Sequence, residues 1–194
     1  MEENKFLKRF KKNWKNYLFY AVILFFLFSP GAKSWLLQRI ISTGLFNARI
    51  KTEQFANKIS STPSFSVTAE DGKIINSNSL QGKVVLINFW ASWCPPCRAE
   101  MPSLNKLYNE LKNDHHFVFL FINEDENIEN ARKFISKNNF SIPLYFRLNV
   151  PEEIFSGTLP TTLVLDKQGK VVLKHEGMAD YDNERFINQL KKLQ

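Results

Sequence analysis

The order of apolar and polar positions divides the chain into three stretches. The first begins with Lys5, Lys8, Arg9, Lys11, Lys12 and Lys15, continues as an unbroken apolar run from Tyr17 to Phe28 (YLFYAVILFFLF), and stops at Ser29-Pro30-Gly31. A basic flank ahead of an apolar run places the flank inside and the rest of the chain on the exported side. Twelve apolar residues are fewer than the ~20 that a full span uses, and they fit a signal-peptide core about as well. Two readings follow. The segment is an uncleaved single-pass anchor running to about Leu37, with Trp14 and Trp35 near the two interfaces, or it is a signal peptide cut near Gly31 or Ala32. Pro30 spoils the small-residue cleavage pattern, which favours the anchor, and a lipoprotein is excluded because no cysteine precedes Cys94. A buried helix of a soluble protein is the minority reading, given six basic residues immediately upstream.

The second stretch is transitional. Trp35 to Phe46 has apolar residues at Leu36, Leu37, Ile40 and Ile41, a helical spacing. It is either the end of the anchor or an amphipathic helix on the membrane surface. Residues 47–62 are rich in Ser, Thr, Asn and Lys and read as a linker. The expected organisation is therefore 1–37 as basic flank and anchor or signal, 38–62 as amphipathic segment and linker, and 63–194 as the folded domain.

In the third stretch the period changes. Phe65-Ser66-Val67 and Lys73-Ile74-Ile75 flank Glu70-Asp71-Gly72, an Asp-Gly hairpin signal. Lys83–Trp90 (KVVLINFW) and Phe117–Ile122 (FVFLFI) are continuous apolar runs, as buried parallel strands read. Between them Ala91–Leu111 predicts a turn and a long helix, kinked or broken at Pro102. Ile128–Asn138 reads as a helix and Ile142–Phe146 as a short strand. Thr161–Leu165 and Lys170–His175 read as strands joined by the turn Asp166-Lys167-Gln168-Gly169. Asp182–Leu193 reads as a closing helix. A leading hairpin and then β-α-β-α-β-β-α predicts an α/β sandwich.

Charge and cysteine count narrow the chemistry. The net charge of +7 suggests a nucleic-acid binder until it is localised. Residues 1–51 hold ten of the Lys and Arg against two Glu, and the other 143 residues hold 16 basic and 17 acidic side chains. The predicted domain is near neutral and carries no footprint for DNA or RNA. Only two cysteines occur, Cys94 and Cys97. A pair this close does not staple a small secreted domain and reads as a redox or metal pair. Zinc needs four ligands, whereas His115 and His116 are adjacent on a loop and His175 is far along the chain. Arg98 in place of a His after Cys97 excludes covalent haem attachment.

Trp93-Cys94-Pro95-Pro96-Cys97 falls where a predicted strand ends and a predicted helix begins. First-turn N–H groups have no helical partners and form the positive end of the helix dipole, so a thiolate at Cys94 is stabilised there. The thiolate is the attacking form. Pro95 and Pro96 are tolerated in the first turn and stiffen the loop. Cys97 lies on the same side and within reach of Cys94. The expected chemistry is attack by Cys94 on a substrate disulfide and resolution of the mixed disulfide by Cys97.

The segment Phe89-Trp90-Ala91-Ser92-Trp93-Cys94-Pro95-Pro96-Cys97-Arg98-Ala99-Glu100-Met101-Pro102 resembles the active-site signature of the TlpA-like, ResA-like branch of the thioredoxin superfamily. Gly157-Thr158-Leu159-Pro160-Thr161-Thr162, followed by a strand and an Asp-Lys-x-Gly turn, resembles the second motif of that family. The resemblance covers about residues 63–194 and implies a thioredoxin-like fold, a central mixed β-sheet flanked by helices. It implies Cys94 as nucleophile, Cys97 as resolving thiol and a redox-active Cys94–Cys97 disulfide. Pro160 matches the family's cis-proline, although a proline ahead of an apolar strand also reads as an ordinary trans strand-starter; Leu159 then lies beside the sulfurs. Trp93 is expected either to cover the dithiol or simply to pack. Glu100, three residues after Cys97 and on the same helix face, matches an acid that raises thiol pKa and moves protons, against the plainer reading of a solvated charge. Thioredoxin has a buried acid in the strand before its active site, where this chain has Asn88, which makes Glu100 the better candidate; Glu124 and Asp125 are secondary ones.

The function so implied is a membrane-tethered oxidoreductase on the extracytoplasmic side of the cytoplasmic membrane, reducing disulfides of exported proteins. Relatives of this architecture act on apocytochrome c thiols among other substrates, and a membrane thiol donor supplies their electrons. No cofactor beyond the dithiol and no metal is expected. Three alternatives have their own signatures. A disulfide-forming oxidase shares fold and motif and differs in potential, though the helical insertion of DsbA-type oxidases is missing here. A peroxiredoxin-like peroxidase carries a Pro-x-x-x-Thr-x-x pattern before its cysteine, and Ala91 stands where its Thr would be. A metal chaperone uses a longer Cys spacing with a dedicated His.

Overall fold

The computed structural model describes residues 3–41, 46–50 and 64–194. In the domain, a 7-stranded sheet is formed by β1 (Ser66–Ala69), β2 (Ile74–Asn76), β3 (Val84–Trp90), β4 (Phe117–Asn123), β5 (Tyr145–Asn149), β6 (Thr161–Leu165) and β7 (Val171–Glu176), in the order β2-β1-β5-β4-β3-β6-β7. The described helices are α1 (Glu3–Phe28), α2 (Pro30–Ile40), α3 (Pro95–Leu111), α4 (Ile128–Lys137) and α5 (Glu184–Lys191), with a 3-10 turn at Ser77–Leu80.

The two continuous apolar runs are the centre of the sheet. β3 and β4 pair in parallel, Val84 opposite Phe117 through Trp90 opposite Asn123. A parallel pair needs a crossover, and α3 supplies it. β6 pairs with the other edge of β3 in the antiparallel sense, Val85 opposite Leu165 and Phe89 opposite Thr161. Every residue of β3 is buried, as expected of a strand covered on both faces. Successive side chains point to opposite faces. Val84, Leu86 and Trp90 join the layer beneath α3 and α5, and Val85, Ile87 and Phe89 join the layer on the far side.

Local chemistry sets the element ends. The β1–β2 hairpin turns at Gly72, whose φ of 84° is disfavoured for a residue with a Cβ. Asn127 caps α4 by accepting from the Glu129 N–H at 2.9 Å, and Asn183 caps α5 by accepting from the Phe186 N–H at 2.9 Å. The basic flank and apolar run fall in α1. Ser29 and Pro30 end it and start α2, with Ser29 Oγ accepting from the Ala32 N–H at 3.3 Å and Pro30 in the first turn. Among the described residues no helix is long and apolar enough to cross a membrane.

Three sequence expectations are corrected. α3 runs unbroken through Pro102. The strand expected at 142–146 starts at Tyr145 and extends to Asn149, beyond Pro143, which has no N–H to give a ladder. The segment read as a linker from residue 47 is part of the fold at its start, because Ala48 and Ile50 are buried in the layer under α3; the remainder of that expected linker, up to residue 62, lies outside the described residues.

Candidate active site

β3 delivers the chain to the C-terminal edge of the sheet, and after Trp90 a short loop reverses it into α3. Asp125, at the end of the neighbouring β4, fastens this loop. Its carboxylate accepts from the Ser92 N–H at 2.9 Å, the Ser92 hydroxyl at 2.8 Å and Asn123 Nδ2 at 2.7 Å. The Glu124 N–H donates to the Trp90 carbonyl at 2.8 Å. Of the two secondary candidates, Asp125 thus ties down the loop. Glu124 turns to Arg147 at 2.7 Å, where burial still pushes its carboxyl pKa up.

Cys94 is the N-cap of α3, with Pro95 and Pro96 in the first turn. Cys94 and Cys97 form a disulfide, and the Cys97 N–H donates to Cys94 Sγ at 3.3 Å. Both cysteines are buried, at 3% and 0% exposure, Cys94 being the one that retains any. Trp93 beside them is 61% exposed, a large apolar side chain facing solvent next to a redox pair. Opposite the loop, the β3–β6 register sets Pro160 next to Trp90, where the dithiol loop departs. The Leu159–Pro160 peptide is cis. The Pro160 carbonyl accepts from the Gly177 N–H at 2.8 Å, and Leu159 packs against both apolar layers.

Glu100 is fully buried on the inner face of α3. Asn88 Nδ2 donates to its Oε1 at 2.8 Å, and the Ala179 N–H donates to its Oε2 at 3.2 Å. Asn88 Nδ2 also donates to the Thr162 hydroxyl at 2.9 Å, across the directly opposed pair of β3 and β6. Burial pushes the Glu100 carboxyl up to about 8, more than the two hydrogen bonds pull it down. Tyr181, also fully buried, has its phenol raised by burial and further by the charge of Glu100. The plain reading of Glu100 as a solvated charge is therefore wrong for this fold.

Sequence reasoning missed the acid's surroundings. Asn88 is the one polar residue of β3, Val84–Trp90, which flags a buried partner. Thr162 follows from the register alone, and nothing in the 177–182 segment marks Ala179 or Tyr181. Asp114, His115 and His116 have ligand atoms within 4.8 Å of one another, but they precede β4, at the opposite end of the parallel β3–β4 pair from the dithiol. The cysteines and these histidines do not share a site.

The sequence profile of the redoxin family matches residues 58–189. The thiol-disulfide oxidoreductase ResA of Bacillus anthracis is 31% identical over 183 residues, covering 92% of this chain and 98% of that protein. Among solved structures, a thiol:disulfide interchange protein of the thioredoxin family from Chlorobium tepidum TLS superposes with a TM-score of 0.53 at 30% identity, covering 66% of this chain and 94% of that one. StoA from Bacillus subtilis, at 22% identity and a TM-score of 0.51, shares the fold.

Proposed function

Since this chain belongs to the redoxin family and is a thiol–disulfide oxidoreductase of ResA type, we propose that it is a membrane-tethered reductase of exported proteins' disulfides. The observation that carries the direction is the buried acid one helical turn behind the dithiol. A carboxyl group there disfavours a neighbouring thiolate when ionised and offers a proton when neutral. Less stable thiolates make the dithiol more readily oxidised, hence more reducing.

In the forward step the reduced Cys94 attacks one sulfur of a substrate disulfide. A mixed disulfide forms, and the departing substrate sulfur takes a proton. Cys97 then loses its proton and attacks Cys94 Sγ, releasing the second substrate thiol and leaving the Cys94–Cys97 disulfide. Two electrons and two protons pass to the substrate. A dithiol donor in the membrane restores the reduced form. Trp93, Leu159 and cis-Pro160 form the rim on which an extended substrate segment docks, and Pro95 and Pro96 hold the first turn of α3 stiff. Glu100 exchanges protons with the pair. Cytochrome c maturation is one setting that needs such a reductase.

The exposed apolar side chains of α1, such as Phe19 at 61% and Phe28 at 80%, following a basic flank, support a membrane tether with the catalytic domain outside the cytoplasmic membrane. The equilibrium reduction potential of Cys94–Cys97 against glutathione tests the direction. A value below about −230 mV supports the reductase, and one near about −120 mV makes the protein an oxidant.

A further inference from the structure

Pro102 has no N–H, so the Arg98 carbonyl four residues earlier lacks its partner within α3. Gln38 of α2 fills the place, with Nε2 donating to that carbonyl at 3.3 Å. Arg98 lies two residues before Glu100. A second brace comes from residues 46–50, where Asn47 forms a parallel bridge with Asp180. The Ala48 N–H donates to the Asp180 carbonyl, and the Asp180 N–H donates to the Phe46 carbonyl, both at 2.8 Å. The Gln189 side chain of α5 holds Ile50 by both backbone groups, each at 3.1 Å. Ala179, next to Asp180, is the backbone donor to Glu100.

The segment ahead of the domain therefore grips the two backbones that present Glu100, and it does so 50 residues or more away in sequence. We propose that residues 30–41 and 46–50 are a positioning clamp for Glu100, Gln38 holding α3, Ala48 holding the 179–181 loop at Asp180 and Gln189 of α5 fixing the same segment at Ile50, so that the connection to the tether keeps the acid shut off from water. This rests on the reading of Glu100 as the acid of the dithiol site. A cleft of about 380 Å³ already lies between α2 and α3, bordered by Trp35, Gln38, Asp180 and, on the helix that carries Glu100, Ala99 and Ser103, so loosening α2 widens an existing opening beside that stretch of α3. Among the described residues the ionisable group that interacts with Glu100 is Tyr181; the Cys94–Cys97 pair, earlier on the same helix, does not titrate while oxidised. β3 and β6 contribute the neutral Asn88 and Thr162.

The test is the titration of the Glu100 side-chain carboxyl by carbon-13 NMR in the oxidised full-length chain in detergent, the resonance being assigned by its loss in Glu100→Gln. With Gln38→Ala and Gln189→Ala combined, the midpoint is expected to fall by about one pH unit, a tenfold stronger acid, because hydration lowers the cost of charge. Gln38→Ala alone, which removes a single hydrogen bond, is expected to move it the same way by less. Near-UV circular dichroism verifies that each variant is folded. An unmoved midpoint in folded Gln38→Ala and in the folded double variant overturns the clamp while leaving the acid's role intact. A wild-type midpoint in the ordinary carboxylate range overturns the reading of Glu100 itself.

Discussion

One face of β3 packs Val85, Ile87 and Phe89 into a layer of hydrocarbon side chains, while the other face, a single residue along at each step, encloses Asn88, Glu100 and Tyr181. In the first layer Phe89 and Phe155 stack with centroids 4.2 Å apart, and nothing there has to change charge. The second contains an acid whose burial opposes its ionisation at neutral pH. Both faces are equally dry, so exposure does not separate them. What differs is that the polar face adjoins the helix that begins at Cys94. One face contributes stability alone, and the other gives up some stability to hold a proton next to a dithiol.

The largest expected effect separates the faces by activity. Cys94→Ser is expected to abolish disulfide reduction in an insulin turbidity assay while unfolding like the reduced wild type, and Cys97→Ser to accumulate a mixed disulfide visible on a non-reducing gel. Phe89→Ala strikes the other face and is expected to cost about 3–5 kcal/mol in urea unfolding, with the rate per folded molecule preserved. A large loss of turnover in the folded Phe89→Ala protein would erase the distinction.

The next expectation concerns pH. The Glu100 pKa is about 8 in the fold against an ordinary value of 4.5, so the folded state binds its proton more tightly. That stabilisation is complete below 4.5 and is lost as pH rises towards 8, at about 1.4 kcal/mol per pH unit. Urea midpoints of the oxidised protein are expected to decline across that window, and those of Glu100→Gln to decline less; parallel curves would show Glu100 to be hydrated. Asn88→Ala removes one of the acid's two donors and is expected to cost about 1–3 kcal/mol and to raise the Glu100 midpoint further. At the bottom of the scale, Lys191→Ala breaks an exposed pair with Glu110 of 2.8 Å and is expected to change stability by less than about 1 kcal/mol.

The hydrocarbon face was the more legible in the sequence. Continuous apolar runs marked β3 and β4, and Gly72 and Asp166–Gly169 marked the β1–β2 and β6–β7 hairpins, because local conformational rules decide those elements. The dithiol was legible from spacing and from its place between strand and helix. The surroundings of Glu100 were not. Thr162 reaches Asn88 through strand register, Ala179 reaches Glu100 from 79 residues away, and Gln38 completes a hydrogen bond that Pro102 removed. Pro102 read as a kink or a break because the helix was judged alone, whereas a partner from another helix satisfies the freed carbonyl. The burial of Ala48 and Ile50 escaped for the same reason, since a polar-looking stretch gives no local sign of what it packs against.

The most direct measurement is the pH dependence of iodoacetamide alkylation at Cys94 in the reduced protein, wild type against Glu100→Gln. If the polar face serves the dithiol, the apparent pKa governing Cys94 reactivity falls when the acid is neutralised. Superimposable profiles would contradict the central claim and leave Glu100 as a buried group with no part in the chemistry.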